Sequence, residues 1–301
     1  MCTKYDTIST RFARDVVRLN TGLAFRGLPD ALPDAELLHR VERPGGLTTL
    51  AVRTDQLPDR YLLGLMGFRL AQYLQLGYAC EQVVHATGMF AEPAHHLEDD
   101  DVHVVTLDAQ GRILGYLCLA GSGDSRPLEL TDPARRPFPV EVAHDLNLFD
   151  RVPPHEGVRS NHVRELKRFV HSRLMHDKEQ RLQVTMELLL GAGRALLLLD
   201  PPIRTLVGDV EEDVALRHIV LAGMEVVVIE GTTPALPYDD VMHPLYTARD
   251  AVKPFVAHVP DHAELQRRVE FLNTALAQSD IFATADAMPT AMPGSARHLA
   301  A

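Results

Sequence analysis

Glu165 and Arg168 stand in the run Glu165-Leu166-Lys167-Arg168-Phe169, where an extended strand turns them to opposite faces. They converge on one cleft only if the strand is kinked or bulged; otherwise the run supplies an ordinary ion pair across a sheet. A second group, Arg173, Lys178 and Arg181, clusters where a helix begins, so its charges add to an end that already attracts anions. The plain alternative is a solvated basic turn. The string His95-His96-Leu97-Glu98-Asp99-Asp100-Asp101-Val102-His103 holds metal-capable side chains, but its spacing sets no three ligands on one helical face. No metal is expected. Cys118 is a thiol on an apolar strand, more in keeping with a small core residue than with a nucleophile.

The elements that must position these residues follow from periodicity. Asp59 to Tyr78 carries a broad apolar helical face that Gly77 is placed to end. Val102 to Leu107 and Arg112 to Leu119 flank the polar turn Asp108-Ala109-Gln110-Gly111, which predicts a hairpin. A long proline-bearing loop then leads to a strand over His162 to His171 and a helix over Lys178 to Leu198. Arg204 to Val210 reads as a strand, Glu211-Glu212-Asp213 as the acidic start of a short helix, and Glu225 to Glu230 as another strand. Pro254 to Val259 is the last strand expected, and Asp261 to Gln278 the closing helix. Two strand-helix-strand passages demand parallel neighbours and the hairpin demands antiparallel ones, so the sheet is mixed.

Composition narrows the classes. With 46% apolar residues the 301-residue chain can bury a substantial core. A net charge of −11 argues against a surface built to cover a phosphate backbone, so no nucleic-acid partner is expected. Cys2, Cys80 and Cys118 lie far apart without paired spacing, which fits a reducing cytoplasm. No apolar run reaches the length of a membrane span, and the charged first thirty residues lack a signal-peptide core. The expected layout is an extension over 1–55, a main domain over 56–260, a helix over 261–280 and a mobile tail over 281–301.

From about Pro58 to Gly231 the chain resembles the GNAT acyltransferase superfamily, in its autoinducer-synthase-like branch of acyl-homoserine-lactone and N-acyl amino acid synthases. The residues that carry the resemblance are Phe68-Arg69 with Tyr73 to Tyr78, the turn Asp108 to Gly115, and above all Glu165-Leu166-Lys167-Arg168-Phe169. The stretch from Gly208-Asp209-Val210 to Gly223-Met224-Glu225-Val226 is similar to the branch's ending. Two features depart from it. Gly115-Tyr116-Leu117-Cys118 lacks the arginine expected there, and His171 to Arg181 contains none of the glycines that cradle a CoA pyrophosphate.

The resemblance implies a GNAT-like α/β fold, a mixed, twisted sheet flanked by helices, with an N-terminal extension and a C-terminal helical addition. It implies an N-acyltransferase that moves an acyl group directly from a thioester to a small amine or amino acid. Glu165 would be the base or amine-orienting carboxylate and Arg168 an anchor. Arg69, Asp99, Asp101 and Phe169 would contact the acceptor side; His171, Arg173, Lys178 and Arg181 would meet the donor. That donor is acyl-CoA or an acyl-phosphopantetheine carrier protein, serving as co-substrate with no tightly bound cofactor. The competing readings are a lactone synthase using S-adenosylmethionine and a catalytically silent protein that binds acyl thioesters or a carrier protein.

Overall fold

The computed structural model describes residues 7–33, 37–94, 97–211, 216–247, 252–278 and 280–300. The chain opens with α1 (Ile8–Thr21) and α2 (Leu28–Ala31), pairs β1 (His39–Glu42) with β2 (Thr48–Arg53), and continues into α3 (Asp59–Leu76) and α4 (Glu81–Ala86). The hairpin of β3 (Val102–Leu107) and β4 (Ile113–Ala120) follows, then the short helices α5 (Pro139–His144) and α6 (Leu148–Arg151). Next come β5 (Val163–His171), α7 (Lys178–Leu198), β6 (Thr205–Glu211), α8 (Arg217–Leu221) and β7 (Glu225–Glu230). The chain closes with α9 (His243–Thr247), β8 (Val252–His258), α10 (His262–Leu276), α11 (Ile281–Ala291) and β9 (Ser295–Ala300).

The nine strands among the described residues form one mixed sheet in the order β1-β2-β3-β4-β5-β6-β8-β7-β9. The first five pair antiparallel, β5 and β6 pair parallel across the α7 crossover, and β8 runs antiparallel to both β6 and β7. The second strand-helix-strand passage therefore does not make neighbours. The long connection after β7 returns the chain so that β8, buried along Pro254 to Ala257, slots between β6 and β7.

Local signals set the long helices. Gly77 adopts φ 73 at the end of α3, the left-handed turn that a side chain resists, and Asp177 caps α7 through the amides of Glu179 and Gln180. α7 packs on one face of the sheet, close enough that a Cβ on Gly115 would lie 2.5 Å from Val184. Its side joins Leu117, Leu119, Leu188 and Leu190 to Val269 and Leu272 of α10. On the other face α3 brings Leu65, Met66 and Leu70 against Val105, Tyr116 and Cys118.

Three expectations change. The stretch read as an extension is integrated where it is described: β1 and β2 extend the sheet, and Val16, Phe25 and Leu28 enter the same core as α3. Helices α5 and α6 lie in the stretch read as loop, where the Arg135–Glu141 ion pair at 2.8 Å and Phe138, Val140 and Phe149 cover Val207, Val227 and Val256. Residues 281–300, read as a mobile tail, form α11 and β9, and β9 pairs parallel with β7. Their apolar residues supply what periodicity hid, since Ile281, Met288 and Met292 are buried against the α7 side. The acidic helix start falls partly on residues 212–215, outside the described residues.

Candidate active site

β5 and β6 are paired only from Val163↔Thr205 through Glu165↔Val207. Beyond that point they part, and a cleft of about 1610 Å³ opens between them. On its other edge β5 carries a bulge. Tyr116 faces Val170 and Cys118 faces Lys167, so Arg168 and Phe169 together oppose Leu117. Arg168 takes φ 60, a left-handed conformation uncommon for a residue with a side chain. The extra residue resets the alternation, and Glu165 and Arg168 both line the cleft.

Glu165 is buried, and its Oε2 has no hydrogen-bond partner. Burial pushes its carboxyl up to about 7; Asp209 adds to the rise, while Lys167, Arg168 and the Val140 N–H oppose it. A carboxyl so placed changes charge near neutrality, which is what a general base needs. Arg168 instead donates to Glu92 from Nε at 3.1 Å and Nη2 at 3.0 Å, with its guanidinium over the Tyr73 ring. Arg69 donates to the same carboxylate, Nη2 to Oε2 at 2.8 Å and Nε to Oε1 at 3.2 Å. Burial alone would raise the Glu92 carboxyl, but the two arginines outweigh it and hold it at about 2. Arg69 is thus neither a surface residue nor alone. Behind it a polar chain runs into the core: Arg69 Nη1 to Tyr116 Oη at 3.4 Å, Tyr116 Oη to His103 Nδ1 at 2.7 Å, and His103 Nε2 to Thr54 Oγ1 at 2.9 Å.

The acids before β3 separate. Asp101 is buried on the cleft wall, where Gly121 N–H donates to Oδ1 at 2.7 Å and Glu98 N–H to Oδ2 at 3.2 Å. Asp99 is exposed and does not line the cleft. His95 and His96 lie outside the described residues, among which no group of three or more His, Cys, Asp or Glu could hold a metal ion. Cys118 is buried and its thiol is pushed up to about 11 by burial, so it is a protonated core residue.

Phe169, His171, Arg173, Lys178 and Arg181 all line the cleft. Phe169 stacks obliquely between His171 and His218 at 5.7 and 5.8 Å. His171 Nε2 meets Thr185 Oγ1 at 2.9 Å, and burial lowers its ring to about 4, leaving it neutral. The start of α7 differs from expectation. The Asp177 carboxylate accepts from Glu179 N–H at 3.2 Å and Gln180 N–H at 3.1 Å, so an internal anion already occupies the end that was to meet phosphates. Only the basic side chains remain for that task.

Among the wall residues that went unread in the sequence are Glu92, Asp209 and Tyr246. Asp209 follows the opening on β6, with His144 Nε2 on Oδ1 at 2.8 Å and the Tyr246 hydroxyl on Oδ2. Tyr246 arrives on residues 231–247, a strap that crosses the cleft and adds Leu236, Met242 and Leu245 to its wall. Backbone bonds pin that strap, Ala235 N–H to Ala143 O at 2.7 Å and Cys80 N–H to Val241 O at 2.8 Å. The Gly208-Asp209-Val210 motif was the one signal that pointed to any of these residues.

No family model and no curated protein matches the chain. Among solved structures it is similar to TofI in a ternary complex with an inhibitor and MTA, at 17% identity and TM-score 0.39, over 74% of this chain and 96% of that one. It is similar to BjaI, a CoA-dependent acyl-homoserine lactone synthase with SAM and isopentyl-CoA, at 16% identity and TM-score 0.40, over 82% and 92%. The AHL synthase LasI matches at 12% identity and TM-score 0.35, over 79% and 99%. Scores and identities this low carry nothing about the activity of this chain. Its own strand order does describe the architecture: an antiparallel half, a parallel β5–β6 pair that splays beside a bulge, and β8 inserted before β7. The chain has a mixed α/β fold, a single sheet flanked by helices.

Proposed function

We propose that the chain is an N-acyltransferase that moves an acyl group from a thioester to a small amine or amino acid by direct transfer. The observation that carries this reading is Glu165, a buried carboxyl with an unpartnered oxygen at the mouth of the splay, poised near 7. The amine nitrogen attacks the thioester carbonyl carbon and a C–N bond forms. Glu165, directly or through one water, takes the proton that nitrogen sheds. The C–S bond then breaks, and the thiolate leaves to be protonated as free thiol. Arg168 and Arg69 give the acceptor side a net positive wall, since two guanidiniums share one Glu92 carboxylate. Arg173, Lys178 and Arg181 give the donor side a cationic end.

The donor is acyl-CoA or an acyl carrier protein. Asp177 on the α7 amides weighs toward a donor that does not need a pyrophosphate cradle, which favours the carrier arm. No helix among the described residues is long and apolar enough to cross a membrane. The deciding assay is free-thiol release from acyl-CoAs and acyl carrier proteins mixed with amino acids, polyamines or S-adenosylmethionine. Amine-dependent thiol release that is lost in Glu165→Gln supports the reading. Methylthioadenosine release moves it to the lactone synthase, and donor binding without thiol release moves it to the silent binding protein.

A further inference from the structure

Asp209 is a further carboxylate of the cleft wall, and its surroundings are built rather than incidental. It lies two residues past Val207, the last position on β6 that pairs with Glu165, so the two carboxyls face the same side of the sheet across the opening. Each of its oxygens is taken. The His144 ring, with no exposed side-chain surface, contacts Oδ1 from α5, and the Tyr246 hydroxyl donates to Oδ2 from the strap. His144 and Tyr246 also pack edge to face at 5.8 Å, which locks the pair around the carboxylate.

The groups facing Glu165 are Lys167 and Arg168 on its own strand, Asp209 on β6, Tyr246 on the strap and the Val140 N–H of α5. Asp101 sits beyond β4 and engages Gly121 and Glu98. Two cations therefore draw Glu165 toward its charged form, and Asp209 is the nearby anion that opposes them. Burial is the larger part of what holds the proton on Glu165, and Asp209 adds to it against Lys167 and Arg168.

We propose that Asp209 is a positioning residue for the transfer reaction, its carboxylate held by His144 and Tyr246 so that its charge strengthens the hold of Glu165 on a proton. This rests on the acyltransferase reading for its purpose, but the coupling between the two carboxyls exists in the resting protein. His144 and Tyr246 act through Asp209, and Tyr246 makes the strap part of the same arrangement.

The test titrates the Glu165 carboxyl in the intact, substrate-free protein by carbon-13 NMR, assigned by its loss in Glu165→Gln, and runs thiol-release pH profiles beside it. Asp209→Asn should weaken the proton affinity of Glu165 by about tenfold, the effect of removing one close like charge. The acid limb of kcat/KM should move to lower pH by the same amount. Asp209→Glu, which keeps the charge, should restore most of both. Tyr246→Phe should move the titration in the direction of Asp209→Asn but less far, and it serves where the asparagine variant does not fold. A Glu165 titration unchanged in Asp209→Asn and Tyr246→Phe overturns the proposal, whatever the activities. A titration that shifts as expected in a protein without turnover upholds the coupling and instead counts against the acyltransferase reading.

Discussion

Arg69 and Arg168, one from α3 and the other from the bulge of β5, close on the same oxygen of Glu92 at 2.8 and 3.0 Å. One buried carboxylate thus ties α3 to the strand that carries Glu165, and two cations are left with a single counter-charge. The arrangement is both a structural lock and the source of positive potential on that wall of the cleft.

Removing the lock's carboxylate leaves two buried guanidiniums unpaired. Glu92→Gln should cost about 3 to 5 kcal/mol of stability, read by urea unfolding at pH 7. The pH dependence follows from the sign. With its folded value depressed to about 2, Glu92 contributes fully above its ordinary 4.5 and loses that contribution as pH falls toward 2. Wild-type and variant stabilities should therefore converge across that window; parallel curves would show that the pair contributes nothing there.

Glu165 has the opposite sign. Its folded value lies near 7 against an ordinary 4.5, so the native state binds more protons than the unfolded chain between those limits. Wild-type stability should fall as pH rises from 4.5 to about 7, and Glu165→Gln should be free of that decline. Activity should run the other way, rising with pH through about 7 as the base form appears. Melting curves from pH 4 to 9 beside thiol-release profiles test both; a rate independent of pH across 7 would remove Glu165 as the base.

Asp177 sets stability against donor binding. Asp177→Ala removes the α7 cap, at a cost of about 0.5 to 2 kcal/mol, and frees the amides of Glu179 and Gln180. Free amides at a helix start attract phosphate. The variant should melt lower yet bind CoA more tightly, measured by calorimetry. Weaker CoA binding would show that the pyrophosphate does not approach this end.

The packing of α1 on α3 turns on one glycine. A Cβ on Gly67 would fall 1.9 Å from Asn20 Oδ1, while Asn20 Nδ2 is held by Val16 O and Phe90 O at 3.0 and 2.9 Å. Gly67→Ala should destabilise the protein by about 1 to 3 kcal/mol through overpacking. Hydrogen exchange should localise the loosening to α1; protection unchanged there would mean that the opening residues dock independently of α3.

What the sequence by itself determined was local. α3 ends where Gly77 can turn left-handed, α7 spans Lys178–Leu198 as its periodicity predicts, and the β3–β4 hairpin closes around Asp108 and Gly111. Each of these depends on hydrogen bonds and caps completed within a few residues. Tertiary structure alone decided the rest. Ser295–Ala300 carries no strand pattern because an exposed edge strand needs only a partner's ladder, and β7 provides it. The Glu165-to-Phe169 motif was legible, but its bulge arises from register against β4. Glu92 meets Arg168 across 76 positions, and Asp209 meets Tyr246 across 37. A sequence states which charges a chain carries, whereas burial and long-range pairing decide which of them face one another, and that facing sets their chemistry.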